Sequence, residues 1–203
     1  MTLCGFIREV DSRTAVYRTP FLPTFSFYEV HESSPIQADA RRIISVVEGL
    51  DMRDDRVANV LLSAREIPSR LAALLRKQRH DRPSARFGFD TFTLLCRDDH
   101  EISRGLVGRF WRPDLGIAPI ADAAEFQHSV DPTAARLVLR FKAIAGPNDT
   151  HILRTETFVY CPTTRTKFLF APYWLAIRVA SGWIRRRTLA SVQSALATGD
   201  LTP

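Results

Sequence analysis

Residues 135–160 read ARLVLRFKAIAGPNDTHILRTETFVY. In the first half, Leu137, Leu139, Phe141 and Ala143 alternate with Arg136, Val138, Arg140 and Lys142. A period of two is that of a β-strand with one apolar face, and the charged positions predict that the other face is wet. Gly146, Pro147 and Asn148 supply a turn. Beyond it, Leu153, Thr155, Thr157 and Val159 alternate with Arg154, Glu156, Phe158 and Tyr160. The segment therefore reads as a β-hairpin. Its polar face places Arg140, Arg154 and Glu156 near each other, and cross-strand ion pairing on the solvent side accounts for the glutamate. Its apolar face needs a cover.

Working outward from the hairpin, the same period appears upstream. Residues 89–99, FDTFTLLCRDD, and 101–112, EISRGLVGRFWR, predict two strands joined by a turn near Asp98–Asp99–His100. Phe92, Leu94 and Cys96 share one face of the first. Leu106, Gly108 and Phe110 share one face of the second, opposite Val107, Arg109 and Trp111. A short helix fits residues 122–127. Earlier still, residues 24–31, TFSFYEVH, predict a strand with Phe25, Phe27, Glu29 and His31 on one face and Ser26, Tyr28 and Val30 on the other.

Two stretches between these strands change to helical spacing. Ile43, Ile44, Val47 and Leu50 form one apolar stripe, with Asp39 or a preceding serine as the cap. Val57, Val60, Leu61 and Ala64 begin a second, which Pro68 interrupts and Leu71, Leu74 and Leu75 resume. After the hairpin, Phe170, Trp174, Ile177, Ser181 and Ile184 step by three and four along a long terminal helix. Its start is open: with Pro172 near the first helical position it begins late, and if it begins at Thr164 the proline lies inside it. Helices segregated from an antiparallel meander make an α+β fold. Residues 1–23 carry two closely spaced prolines and read as an arm. Residues 24–203 read as a single domain.

Composition narrows the function classes. The chain has 203 residues and a formal net charge of +6. Basic residues are spread along it and interleaved with acids, which favours a solvated surface over a nucleic-acid stripe. No apolar run is long enough to span a bilayer, and the first residues lack the form of a secretion signal. A cytoplasmic protein without stable membrane insertion is the expectation. Cys4, Cys96 and Cys161 are far apart, and no histidine pairs at metal-ligand spacing. Neither a metal nor a cofactor is expected, and the two strand cysteines read as inert.

The order of elements and the segments YEVHESSPIQADARRIISVV (28–47), GRFWRP (108–113), LRTETFVYC (153–161) and FAPYWLAIRVASGWIRR (170–186) resemble the START and birch-pollen-allergen-like (SRPBCC) superfamily, in an uncharacterised bacterial branch. The resemblance covers about residues 24–197. It implies a helix-grip fold, a curved antiparallel sheet wrapped around the C-terminal helix with additional helices after the first strand. It also implies a hydrophobic cavity between the two for a lipid, polyketide or similar molecule.

On that expectation Phe110, Leu139, Phe141, Trp174 and Ile177 face the space between sheet and helix, either lining a pocket or simply filling a core. Tyr28, His31, Arg109, Trp111 and Glu156 are the polar candidates. Glu29 shares a face with His31 and could tune it as a base or ligand partner. Pairing of the first and last strands would bring Glu156 toward both. Against this, the same residues fit an ordinary polar strand end. Gly105 and Gly108 suggest a bulge or room for a ligand. Three functions follow: a binding protein for a small apolar molecule; an enzyme of the same fold, such as a cyclase, aromatase or hydratase; or an interaction protein using a basic amphipathic helix, which requires Trp174 and Ile177 to be exposed.

Overall fold

A computed structural model describes residues 19–49, 91–112 and 114–175. The second helical stretch at 51–80, Ile177 and the arm before residue 19 lie outside the described residues. The elements are β1 (Phe27–Glu32), α1 (Ala40–Gly49), β2 (Thr93–Arg97), β3 (Glu101–Gly108), α2 (Ala123–His128), β4 (Ala135–Ala145) and β5 (His151–Tyr160). A final helix, α3, is described over 164–175. The strands form one open antiparallel sheet in the order β1-β5-β4-β3-β2. The protein is α+β, with a five-stranded antiparallel sheet and a C-terminal helix.

The hairpin forms as its alternation requires. Arg140 stands opposite Glu156 and Leu139 opposite Thr157. The turn closes through Gly146 N–H donating to Thr150 O at 2.8 Å, with Asn148 and Asp149 in the left-handed region at φ 53° and 54°. β1 pairs with β5, the first strand with the last, in the register Val30 to Glu156. The turn between β2 and β3 is held by Asp98, whose Oδ1 accepts from both His100 N–H and Glu101 N–H at 2.7 Å. α1 is capped by Asp39, which accepts from Arg42 N–H at 2.7 Å. α2 is capped by Asp122 in the same way.

The sheet has an inner and an outer face, and both are covered. On the inner face, Ile43, Ile44 and Val47 of α1 pack on Ile102, Phe141, Ala143 and Leu153. Further along that face, Phe170 and Trp174 of α3 pack on Phe27, Leu106, Phe110 and Val159. On the outer face, Phe21, Leu22 and Phe25 of the entering segment join Phe126 of α2 over Tyr28, Leu95, Val107, Val138 and Phe158. Each fully buried side chain of this size contributes roughly 1.5–3 kcal/mol. The expectation that the outer face of β4 is wet is therefore corrected: Val138 and Arg140 are buried there. Phe25 is also corrected. It precedes β1 and packs outward on Phe158 at 5.2 Å between ring centroids, apart from Phe27, Glu29 and His31.

Two further readings change for local reasons. The ladder between β2 and β3 slips between Leu94 and Cys96, so Cys96 pairs with Ser103. One extra residue turns Cys96 to the face opposite Leu94 and sends Leu95 into the outer cluster. Gly105, directly below, leaves room for it. A Cβ there would lie 2.8 Å from both Leu95 Cδ1 and Phe126 Cδ2. The space above the missing Gly105 side chain is thus taken by Leu95 and Phe126. Gly105→Ala is expected to cost about 1–3 kcal/mol through overpacking, read as a lower urea midpoint with unchanged slope. The second reading concerns α3, which begins at 164 with Thr163 accepting from Thr166 N–H at 3.1 Å. Pro172 thus lies inside the helix, where it removes the bond to the Phe168 carbonyl.

Candidate functional site

The inner face carries a polar band between its two helical covers. Across the sheet, Glu29, Thr157, Leu139 and Arg104 stand in one row, because Glu29 pairs with Thr157, Thr157 with Leu139 and Leu139 with Arg104. The adjacent row carries His31, Thr155, Phe141 and Ile102. α1 covers one side of this band through Phe141, and α3 covers the other through Phe27 and Leu106. Glu29, Thr155 and Thr157 are buried. Leu139 and Arg104 are half-buried.

Glu29 and His31 project from alternate positions of β1 onto this face, and His31 Nε2 lies 3.0 Å from Glu29 Oε1. The imidazole side chain is 27% exposed against 7% for the carboxylate. A carboxylate can only accept hydrogen bonds, so the imidazole donates from Nε2 in this contact.

Trp174 adds a donor at the other margin of the band. Its ring packs on Phe27 at 5.5 Å and on Phe170 at 6.0 Å. The residue is 2% exposed, and its indole Nε1 is buried without a hydrogen-bond partner among the described residues. A buried donor left unmet costs about 1–3 kcal/mol. Thr19 Oγ1, on the entering segment, is in the same condition.

Glu156 and Tyr28 are elsewhere. Both lie on the outer face, separated by the sheet from Glu29 and His31, which corrects the expected approach of Glu156 to that pair. Glu156 Oε1 accepts from the Tyr28 hydroxyl at 2.6 Å, and Oε2 accepts from Arg140 Nε at 2.8 Å and Nη2 at 2.7 Å. Arg140 also lies over the Phe158 ring at 5.1 Å. The ion pair with Arg140 is as expected from register, but it is buried, with the glutamate side chain 1% exposed. Arg154 does not share it and pairs instead with Glu32 at 2.6 Å near the surface.

The remaining candidates divide similarly. Phe110 and Trp174 belong to the cluster under α3, Phe141 to the cluster under α1, and Leu139 to the band between. Trp111 is partly buried, edge-on to Phe170 at 6.4 Å. Arg109 is tied to Thr133 at 2.7 Å and Asp131 at 3.3 Å, fastening two loops. The candidates thus do not converge on one point. Sequence reasoning passed over Arg104, Thr155 and Thr157, although two threonines inside the apolar face of β5 are the signal of a polar band.

Other features carry less chemistry. A depression of about 350 Å³ lies where Thr91–Thr93, Gly105–Val107 and Ile117–Ile120 meet. Gly105, which the sequence singled out, borders it, but none of the polar or aromatic candidates does, and the Thr93 hydroxyl there already donates to Ile120 O at 2.6 Å. Among the described residues no group of histidine, cysteine and acidic side chains is arranged to hold a metal, and no helix is long and apolar enough to cross a membrane. Comparison with known proteins finds no matching family model, curated protein or solved structure.

The cysteines differ in environment. Cys96 is half-buried, and burial followed by Glu101 and Asp98 raises its thiol. Cys161, just after β5, is buried, and burial pushes its thiol from 9.0 up to about 12 against the opposing effect of Lys167. The folded protein therefore keeps this proton where the unfolded chain releases it. The contribution to stability is complete below pH 9 and is lost as pH rises from there toward 12, at up to about 1.4 kcal/mol per pH unit. The difference in unfolding free energy between wild type and Cys161→Ala should shrink across that window. A constant difference would contradict the assignment.

Proposed function

We propose that the protein binds a small, mainly apolar molecule between the inner sheet face and its C-terminal helix, in the helix-grip manner of the START and birch-pollen-allergen-like superfamily. The element order and the placement of α1 and α3 on one face support the architecture. The observation that carries the binding reading is the Trp174 indole N–H, a buried donor with no partner among the described residues in an otherwise apolar cluster. Buried donors are nearly always met, by protein, water or ligand. A ligand acceptor between sheet and helix satisfies this one. Apolar walls with a few fixed polar groups are also what small-molecule sites are made of.

Native mass spectrometry of freshly purified protein tests this reading. The expected result is an additional mass that is retained under native conditions and lost on denaturation. Trp174→Phe keeps the ring packing and removes the donor, so it should reduce the retained fraction severalfold. A protein that carries no extra mass and takes up no added aromatic probe would defeat the reading.

The Glu29–His31 contact favours a second reading, an enzyme acting on the same kind of molecule, with His31 as base and Glu29 orienting it. Glu156 supplies no second group to such a site, since it lies across the sheet. The third reading, an interaction helix, loses Trp174 as an exposed anchor because that residue is buried.

A further inference from the structure

We propose that the outward face of α3 docks on an anionic lipid surface, lying on it without crossing it. This stands apart from the binding reading above, because it uses the side of the helix opposite Trp174.

α3 is apolar on two sides. Phe170 and Trp174 are buried against the sheet. Arg165, Phe168, Leu169, Pro172 and Leu175 are all exposed, and they follow one another at steps of three, one, three and three. That spacing puts them on one face of a helix. Phe168 is 76% exposed, and Leu169 and Leu175 are also open to solvent. The sheet covers one apolar side and leaves this second stripe outside. Grouped apolar side chains on a surface mark a contact site, where single ones do not. Val130, a further exposed apolar side chain, sits on the loop fastened to the start of the helix, where the Thr166 hydroxyl donates to Pro132 O at 2.9 Å. The acid of that loop, Asp131, is already engaged by Arg109.

Charge selects the partner. From residue 157 to residue 199 the sequence holds Arg165, Lys167, Arg178, Arg185, Arg186 and Arg187, and no aspartate or glutamate. The remainder of the chain is balanced, so the whole formal excess of +6 falls in the stretch that contains α3. Arg178 and Arg185–Arg187 lie outside the described residues and enter only through their charge. A second copy of the chain would bring two such cationic stretches together, which opposes pairing through this face. A nucleic acid would need cations in the middle of the contact, and the middle of this face is Phe168, Leu169 and Pro172. An anionic lipid surface suits both parts. Its acyl boundary takes the apolar side chains and its head groups attract the surrounding positive charge.

Vesicle co-sedimentation of the full-length protein tests this, with vesicles of phosphatidylcholine alone and of phosphatidylcholine and phosphatidylglycerol in equal parts. At about 0.05 M salt wild type should partition onto the anionic vesicles about tenfold more strongly than onto the neutral ones, and it should lose most of that preference at about 0.5 M. Phe168→Ser with Leu175→Ser should weaken binding to the anionic vesicles about tenfold. Its urea midpoint should stay near that of wild type, because both side chains are exposed. Arg165→Glu should weaken binding severalfold, more at low salt than at high. Absence of wild-type binding, or equal binding to both kinds of vesicle, would overturn the proposal. So would a double serine variant that binds as wild type does, by placing the contact elsewhere. A wild-type dimer, seen without vesicles by sedimentation velocity and dispersed by the same two substitutions, would overturn it by assigning the face to a second copy. The wild-type and Arg165→Glu comparisons stand even if the double variant does not fold, and none of these results bears on a molecule held between sheet and helix.

Discussion

Glu156→Ala is expected to destabilise the fold by about 3–5 kcal/mol, the cost of removing one member of a buried ion pair. The Arg140 side chain, 8% exposed, loses the carboxylate that receives two of its N–H groups, and the Tyr28 hydroxyl loses its acceptor. The pair joins neighbouring strands directly opposite each other, while Tyr28 reaches in diagonally from the third. Three of the five strands are thereby tied through one side chain. Domains of this size are stable by about 5–15 kcal/mol, so the loss is a large share of the total. Replacing both partners with apolar residues, Arg140→Met with Glu156→Leu, should recover most of it, because no charge is then left buried. Urea denaturation of the single and double variants measures both effects. A single variant within about 1 kcal/mol of wild type would show that water reaches the pair.

Trp174→Ala is expected to cost about 3–5 kcal/mol, since it empties a fully enclosed site between Phe27 and Phe170. Trp174→Phe should cost much less, about 1–2 kcal/mol, because the ring contacts largely persist and the indole N–H makes no bond to lose among the described residues. The gap between these two values separates packing from hydrogen bonding. If Trp174→Phe were as damaging as Trp174→Ala in ligand-free protein, the N–H would have to be bonded, and the argument for a ligand acceptor would fall. Denaturant midpoints at constant slope decide this.

The hairpin around Pro147 was legible because a strict period of two runs on both sides of a glycine-proline turn. The same alternation correctly assigned Glu156 and Arg140 to one face and Thr155 and Thr157 to the other. It could not say that the outer face is buried. That depends on Phe21, Leu22, Phe25 and Phe126 folding back over it, which are contacts between distant parts of the chain. Charged residues on alternate positions read as wet unless something covers them. Cys96 was misplaced for another reason, since a single extra residue inverts every later side chain and leaves no mark in the residue types. At α3, Pro172 suggested a late start, but the Thr163 cap and the buried Phe170 prevailed over the proline's local preference. The Glu29–His31 contact was legible from spacing. The partnerless indole was not, because it depends on what surrounds the ring.

The bulge at Leu95 also shapes what the sheet offers to another molecule. β2 is the last strand in the described order, only five residues long, and its ladder is broken before it ends at Arg97. Arg97 is itself occupied, donating to Glu48 at 3.0 Å. A strand from a second copy needs an even run of outward amides and carbonyls to dock against. This margin is short, kinked and charged. The irregularity that seats one leucine in the core therefore also works against the sheet growing into a fibre.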